Sequence, residues 1–538
     1  MIAPPAIPML FAALAVVQAQ SGDVPLFTNL GRHHMPITTA NPKTQNYFDQ
    51  GIRLTYGFNH AEAIRAFREG ARLDPQCAMC YWGVALALGP NINLPMDSAS
   101  GVEAFNAIQR AQQLVTGKSP RERAYVRALA KRYGAAPGAD RAALDSAYAR
   151  AMGELARQYP DDLDAQVLYA DALMNLSPWN YWTADGMPRP DTPELLSRLE
   201  SALAKNPDHP GACHMFIHAV EAAHPERAVA CAERLAALMP GAGHVVHMPA
   251  HIYIRVGRYA DAIEANQHAV HADEAYISEY SPGTGAYTGG YYPHNYHFLS
   301  FTAILAGRAD IAISAARKVR ETMPIEVVTL APFLEPMPVY PHLALVSFGR
   351  WEEVLREPMP PAELRTSTAL AYYARGVAFA ALGKWTEARI ALDSVTAIYS
   401  ERRAVVGDDP ATVAGILAVA VPALQGEIAL RAGQAAEAVR HFRDAAARED
   451  ALPYDEPPRW YYPIRQSLGR ALLAAGQPVE AERAYREDLK RFPGNGWSLF
   501  GLAKSLEAQG KGVEAANVME EFRTAWRGSD VTLVASRF

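Results

Sequence analysis

Two five-residue stretches of this chain place histidines where imidazole rings can meet. His214-Met215-Phe216-Ile217-His218 and His247-Met248-Pro249-Ala250-His251 each carry two His four residues apart, and the second follows the first by thirty-three residues. Residues at i and i+4 share one face of a helix. His244 stands three residues before His247, and His294 and His297 stand fifty residues after His244 and His247. His247 precedes Ala262 by fifteen residues and His297 precedes Ala312 by fifteen, so both share one register. His214, His218, His244, His247, His251, His294 and His297 are therefore the candidate metal ligands. Paired histidines on neighbouring helices are how helical scaffolds assemble metal sites. Neutral imidazole favours Zn, Cu, Ni or Fe over Ca and Mg. Seven ligands exceed one tetrahedral shell, which leaves two metals, or one metal with histidines spare for acid–base work. Glu221, Tyr253, Asn266, Asn295, Tyr291 and Tyr292 are candidate supporting groups. His209, His224, His268, His271 and His342 fall elsewhere in the pattern and read as structural or solvent-facing.

The elements that must position these side chains repeat along the chain. A Gly and an Ala recur twelve residues apart at Gly51 and Ala63, Gly376 and Ala388, Gly426 and Ala438, and Gly469 and Ala481. A large apolar residue follows each Ala by four: Phe67, Leu392, Phe442 and Tyr485. Small residues let antiparallel helices approach closely, and the bulky residue fills the gap to the next hairpin. Turn signals fall between the two helices, at Phe58-Asn59-His60, Leu382-Gly383-Lys384-Trp385, Ala432-Gly433-Gln434 and Ala475-Gly476-Gln477. Pro75 and Pro493 close two of the units.

These residues, with Tyr253-Ile254-Arg255-Val256-Gly257-Arg258-Tyr259-Ala260-Asp261-Ala262-Ile263, resemble the tetratricopeptide repeat, a helix–turn–helix of about thirty-four residues. The resemblance runs from about Gln45 to Arg527. It implies an all-α, right-handed superhelical solenoid whose first helices line a concave groove, and such grooves usually bind peptides or partner proteins. In that register the histidines of three consecutive hairpins look into the groove, with His244 and His294 at its rim. The hairpins at Gly376, Gly426 and Gly469 carry no His on their first helices, so duplication alone does not explain the enrichment. Two functions follow as expectations. One is a solenoid holding a transition metal, for sequestration or metal-dependent chemistry. The other is a metal-free protein–protein interaction scaffold whose groove holds a peptide or partner.

Three segments interrupt the period: Ser177 through Pro190, the Gly- and Tyr-rich Tyr276 to Tyr292, and Leu452 to Pro463. Long loops in a repeat array are often binding loops, and the second is placed to fold over the groove as a lid or to hang free. The organisation expected is 1–19 a signal peptide, 20–44 an extended segment, 45–207 repeats, 208–325 histidine-rich repeats with the Gly/Tyr loop, and 326–538 further repeats.

The signal peptide rests on the apolar run Met9 to Val17 followed by Val17-Gln18-Ala19, and it implies a periplasmic or secreted protein. No other stretch reads as long enough to span a membrane, so no stable membrane insertion is expected. A net charge of −6 gives no basic footprint for nucleic acid. Cys77-Ala78-Met79-Cys80 is followed by Tyr81 and so lacks the His of a haem attachment motif. In an oxidising compartment Cys77/Cys80 or Cys213/Cys231 could pair, with buried free thiols as the alternative.

Overall fold

The computed structural model describes residues 24–136 and 139–538; the signal-peptide expectation for 1–19 lies outside them. The described residues are all-α: helices follow one another from Pro42–Tyr56 to Gly512–Ala525, and two isolated bridges, Asn91 with Leu94 and Trp182 with Pro188, are the only extended pairings among them. Two compact units form. One takes in 24–252 and Gln267–Tyr292; the other takes in Tyr253–Asn266 and Pro293–Phe538.

Helical hairpins build each unit, and the Gly/Ala/bulky triplet explains their packing. In the first unit Pro42–Tyr56 packs on His60–Leu73, and that helix packs on Ala78–Ala87. The fully buried Phe67 ring lies against Gly51 on one side and Gly83 on the other; a Cβ at either would come within 2.5 and 2.4 Å of it. In the second unit Tyr485 is wedged in the same way between Gly469 and Gly501, at 2.3 and 2.2 Å from the positions their Cβ atoms would take. One aromatic ring thus spans three helices, which is possible only because two of them present glycine. Leu392 departs from the pattern: it is half-buried, and Gly376 instead meets Leu424 and Ala391.

The turns have a common form too. Gly383, Gly433 and Gly476 all have φ near +70°, and the residue after each donates its N–H five residues back, as Lys384 does to the Phe379 carbonyl at 2.8 Å. That is the glycine-terminated helix end in which a left-handed residue closes the last turn. In the first hairpin the equivalent position is Phe58, at φ 57°, with Asn59 N–H donating to the Leu54 carbonyl at 3.0 Å.

Two expectations need correction. The Gly/Tyr interruption is shorter than its composition suggests: the helix Tyr259–Tyr280 continues through Tyr276, and Tyr287–Tyr291 forms a π-helical turn leading into Tyr292–Leu305. Helix Val413–Arg431 is long and apolar enough to cross a membrane, although no such stretch was expected. Its apolar window is 72% buried, because it packs against Ala435–Asp450, Trp385–Val406 and Arg365–Ala381 at once. The Leu452 to Pro463 segment is also core: Trp460, Tyr461 and Tyr462 are buried, and the Tyr461 and Tyr373 hydroxyls are hydrogen-bonded at 3.0 Å.

The wedge makes a direct prediction. Phe67→Ala removes a ring shared by three helices, so it should destabilise the first unit by about 3–5 kcal/mol, with Phe67→Leu milder. Urea unfolding followed by circular dichroism reads this; a near-neutral Phe67→Ala would show that the ring does not join the hairpins.

Candidate metal centre

Five of the seven candidate ligands come together in the first unit. His214 and His218 lie on the helix Pro210–Val220, every residue of which is buried. His209 caps it, its Nδ1 accepting from the Ala212 N–H at 3.2 Å, and Pro210 starts its first turn. Gly211 lets the helix approach Tyr56, whose ring would lie 2.5 Å from a Cβ there. The second pair is built differently. Helix Gly243–His247 ends at Met248 and Pro249–Arg255 begins a new one, so His247 and His251 straddle a break rather than share one continuous helix. Their rings still meet, with centroids 4.7 Å apart and the two Nε2 atoms hydrogen-bonded at 2.8 Å.

One ring nitrogen from each of His214, His218 and His244 lies within 4.8 Å of the others. All three residues are buried. Two of the rings are held by their opposite nitrogens. His214 Nδ1–H donates to the Tyr56 carbonyl at 2.6 Å, and His218 Nδ1–H donates to Glu221 Oε1 at 2.8 Å. Each therefore keeps an Nε2 lone pair, and neither Nε2 has a hydrogen-bond partner. Metal-ligating histidines carry this arrangement, the far nitrogen fixed by a carbonyl or carboxylate. Four bonds of 2.0–2.1 Å to a tetrahedral ion put ligand atoms about 3.4 Å apart, so small ring rotations bring these nitrogens onto one ion. His244, expected at a groove rim, is instead 2% exposed at the middle of the cluster.

Glu221 is fully buried and joins the two histidine pairs. Its Oε1 accepts from His218 and its Oε2 accepts from His251 Nδ1 at 2.5 Å. Burial alone would raise its pKa, but the two imidazoles outweigh it and hold the carboxyl down at about 2. The rings of His214 and His218 are held neutral. Burial, seconded by the neighbouring His218, pushes His214 well below its ordinary value, and burial lowers His218 against the pull of Glu221. An ionised carboxylate bridging neutral imidazoles raises their basicity as ligands.

Aromatic residues close over the cluster. The Phe58 ring sits 4.5, 6.1 and 5.5 Å from the rings of His214, His218 and His244. Trp179, from the first interrupting segment, meets His218 edge-on at 5.1 Å while its Nε1–H donates to the Ile92 carbonyl at 3.0 Å. Tyr291, from the Gly/Tyr segment, lies 4.6 Å from His244. Tyr287 fastens that segment: its hydroxyl accepts from the His244 N–H at 3.2 Å and donates to the buried Asp273 at 2.7 Å. The Gly/Tyr segment thus folds onto the histidines. The described non-glycine residues with left-handed backbone are Phe58, Trp179 and Ser281, which are two rings on the cluster and the residue that follows helix Tyr259–Tyr280 on the way to a third. Such strain is held only where surrounding structure demands it, and it collects at functional sites.

His294 and His297 belong to the second unit, where the buried His297 packs on Tyr340 at 4.0 Å. Tyr253, Asn266 and Asn295 are also in that unit. Tyr292 is half-buried and its hydroxyl donates to Glu274 at 3.3 Å. Among the structural histidines, His209 and His342 are buried, whereas His268 and His271 are exposed. Cys77 and Cys80 form a disulfide, and Cys213 and Cys231 are buried free thiols. Sequence reasoning passed over Phe58 and the hub at Asp164, which receives Tyr56 Oη–H at 2.7 Å and His33 Nε2–H at 2.9 Å. Phe58 was legible as the one repeat turn lacking glycine; nothing in the local sequence marks Asp164.

Two predictions follow from this geometry. At position 58 an L side chain in the left-handed region costs about 1–2 kcal/mol relative to glycine. Phe58→Ala should therefore be less stable than Phe58→Gly by about that amount in thermal unfolding, and the reverse order would mean that the turn is not strained. The second concerns pH. His214 has a folded pKa below its unfolded one, so below about pH 6.5 the unfolded chain binds the extra proton and stability falls. Chelator-treated protein should lose stability between pH 7 and pH 5 more steeply than His214→Gln, by at most about 1.4 kcal/mol per pH unit. Equal slopes would contradict a neutral buried ring.

Among solved structures the chain is similar to the human IFIT1 dimer with m7Gppp-AAAA, at 12% identity and a TM-score of 0.35 over 91% of each chain. It is similar also to the APC/C hetero-tetramer Cut9–Hcn1, at 12% identity and a TM-score of 0.29 over 90% of this chain and 94% of that one. No curated protein matches it in sequence. Family models described as Tetratricopeptide repeat match residues 370–401 and 467–530, the stretches that hold the Gly376 and Gly469 hairpins, and there the chain carries that repeat.

Proposed function

We propose that this protein is a helical-repeat scaffold that binds a transition metal ion, Zn, Cu, Ni or Fe, through the Nε2 atoms of His214, His218 and His244. The observation that carries this reading is the pair of buried, unpartnered Nε2 atoms on His214 and His218, each ring locked from behind by Tyr56 or Glu221. A lone pair buried without a donor is costly, and a cation is the partner that three convergent imidazoles select. Three protein nitrogens leave a fourth position open, the pattern of sites that also take water or a small ligand. Phe58, Trp179 and Tyr291 would exclude bulk water from that position. Glu221 would hold its two imidazoles in the Nδ1–H tautomer and accept the charge the ion places on them.

The same reading places the protein in the periplasm or outside the cell, with 1–19 as its leader. The Cys77–Cys80 disulfide supports an oxidising compartment. An amino terminus of the mature chain near Gln20, found by mass spectrometry of exported protein, is the expected result; recovery with Met1 intact would sink this part. A peptide or protein partner on the repeats is compatible with the metal, and the metal-free scaffold is the competing outcome below.

Protein purified without an affinity tag should carry stoichiometric transition metal by elemental analysis. His214→Ala/His218→Ala should abolish it, and Glu221→Gln should weaken it by about 10–100-fold. Binding should weaken as pH drops and protons compete for the ring lone pairs. Absence of metal, with a co-purifying partner that the double variant still binds, would favour the scaffold reading.

A further inference from the structure

Glu221 has two oxygens, and each does the same thing to a different histidine pair. Oε1 accepts from His218 Nδ1–H and Oε2 accepts from His251 Nδ1–H, at 2.8 and 2.5 Å. The tautomer imposed on His218 is therefore imposed on His251 as well, and the Nε2 lone pair of each ring points away from the carboxylate. His251 Nε2 faces His247 Nε2 at 2.8 Å. Two imidazole nitrogens at that distance share one proton, and both are in position to be ligands once it leaves. The rings of His218 and His251 stand only 5.5 Å apart, across the carboxylate that holds both.

We infer that His247 and His251 bind a second metal ion beside the one at His214, His218 and His244, making the centre binuclear with Glu221 as the shared orienting carboxylate. The inference rests on the proposed metal-binding function and extends it to stoichiometry. Binding at the second position moves His247 to its Nδ1–H tautomer: the proton between the two Nε2 atoms leaves and one returns at His247 Nδ1, so both rings stay neutral and both Nε2 lone pairs face the ion. The rings then open from 2.8 Å to about the 3.4 Å that two bonds of 2.0–2.1 Å to one ion require.

The test is Zn2+ titration of the chelator-treated full chain, with bound metal counted by elemental analysis after gel filtration. Wild type should bind two ions, His247→Ala/His251→Ala one, and Glu221→Gln should weaken both by 10–100-fold. If the double variant loses its helical circular dichroism, His247→Gln, which leaves the His251–Glu221 bond in place, is read instead and should also bind one. One ion in wild type, unchanged by either variant, overturns the binuclear centre while the first site stands. Two ions retained in the variants place the second elsewhere and overturn it too. No ion at all overturns the proposed function itself.

Discussion

Taking the Glu221 carboxylate out of water costs several kcal/mol unless both oxygens find strong donors. In this fold they find two imidazole N–H groups, one from each histidine pair, and the carboxylate is left with no exposure. Much of the local architecture depends on that requirement. Glu221 prolongs the last turn of the helix Pro210–Val220 with helical backbone, which sets its carboxylate beside His218 three residues before it. The break at Met248–Pro249 must bring His251 to the other oxygen while His247 stays within reach of it. Removing one donor would leave a buried charge partly unmet, so the four residues are expected to behave as one energetic unit.

The second organising feature is a trade of backbone comfort for ring placement. Elsewhere in the repeats the turn position is glycine, as at Gly383, Gly433 and Gly476, and a left-handed φ there is free of steric penalty. The first hairpin uses Phe58 instead, and its ring covers three histidines. Trp179 repeats the device from a different segment. Both rings exclude water from a group of neutral imidazoles, which lowers the local dielectric and strengthens every hydrogen bond within it. The wedge residues Phe67 and Tyr485 keep the hairpins at a fixed spacing, and in the first unit that spacing holds Phe58 and Tyr56 against the histidine helix.

Much of this was legible in the sequence because it rests on short-range periodicity. The Gly/Ala/bulky triplets gave the hairpins, and the i, i+4 spacing placed His214 with His218 correctly. Glu221 stood among six candidate supporting groups, and spacing alone did not single it out. Other features depend on long-range packing, and spacing alone misplaced or missed them. His244 belongs at the middle of the cluster because Tyr287, forty-three residues on, holds its backbone N–H. The Gly/Tyr segment looked like a loop by composition, yet the helix runs on through the buried Asp273 and the half-buried Tyr276, both in contact with Tyr287. Helix Val413–Arg431 was overlooked as a long apolar span, and only its neighbours on several sides make it a core helix. The register relation also put His294 and His297 with these ligands, and both belong to the other compact unit.

The central claim is that the protein ligands holding a transition metal here are buried imidazole nitrogens. X-ray absorption spectroscopy on the zinc-loaded full chain reads that shell directly. The account predicts nitrogen scatterers at about 2.0–2.1 Å with the outer-shell signature of imidazole, and no sulfur shell near 2.3 Å. A shell dominated by sulfur, or an oxygen-only shell without imidazole outer scattering, would contradict it.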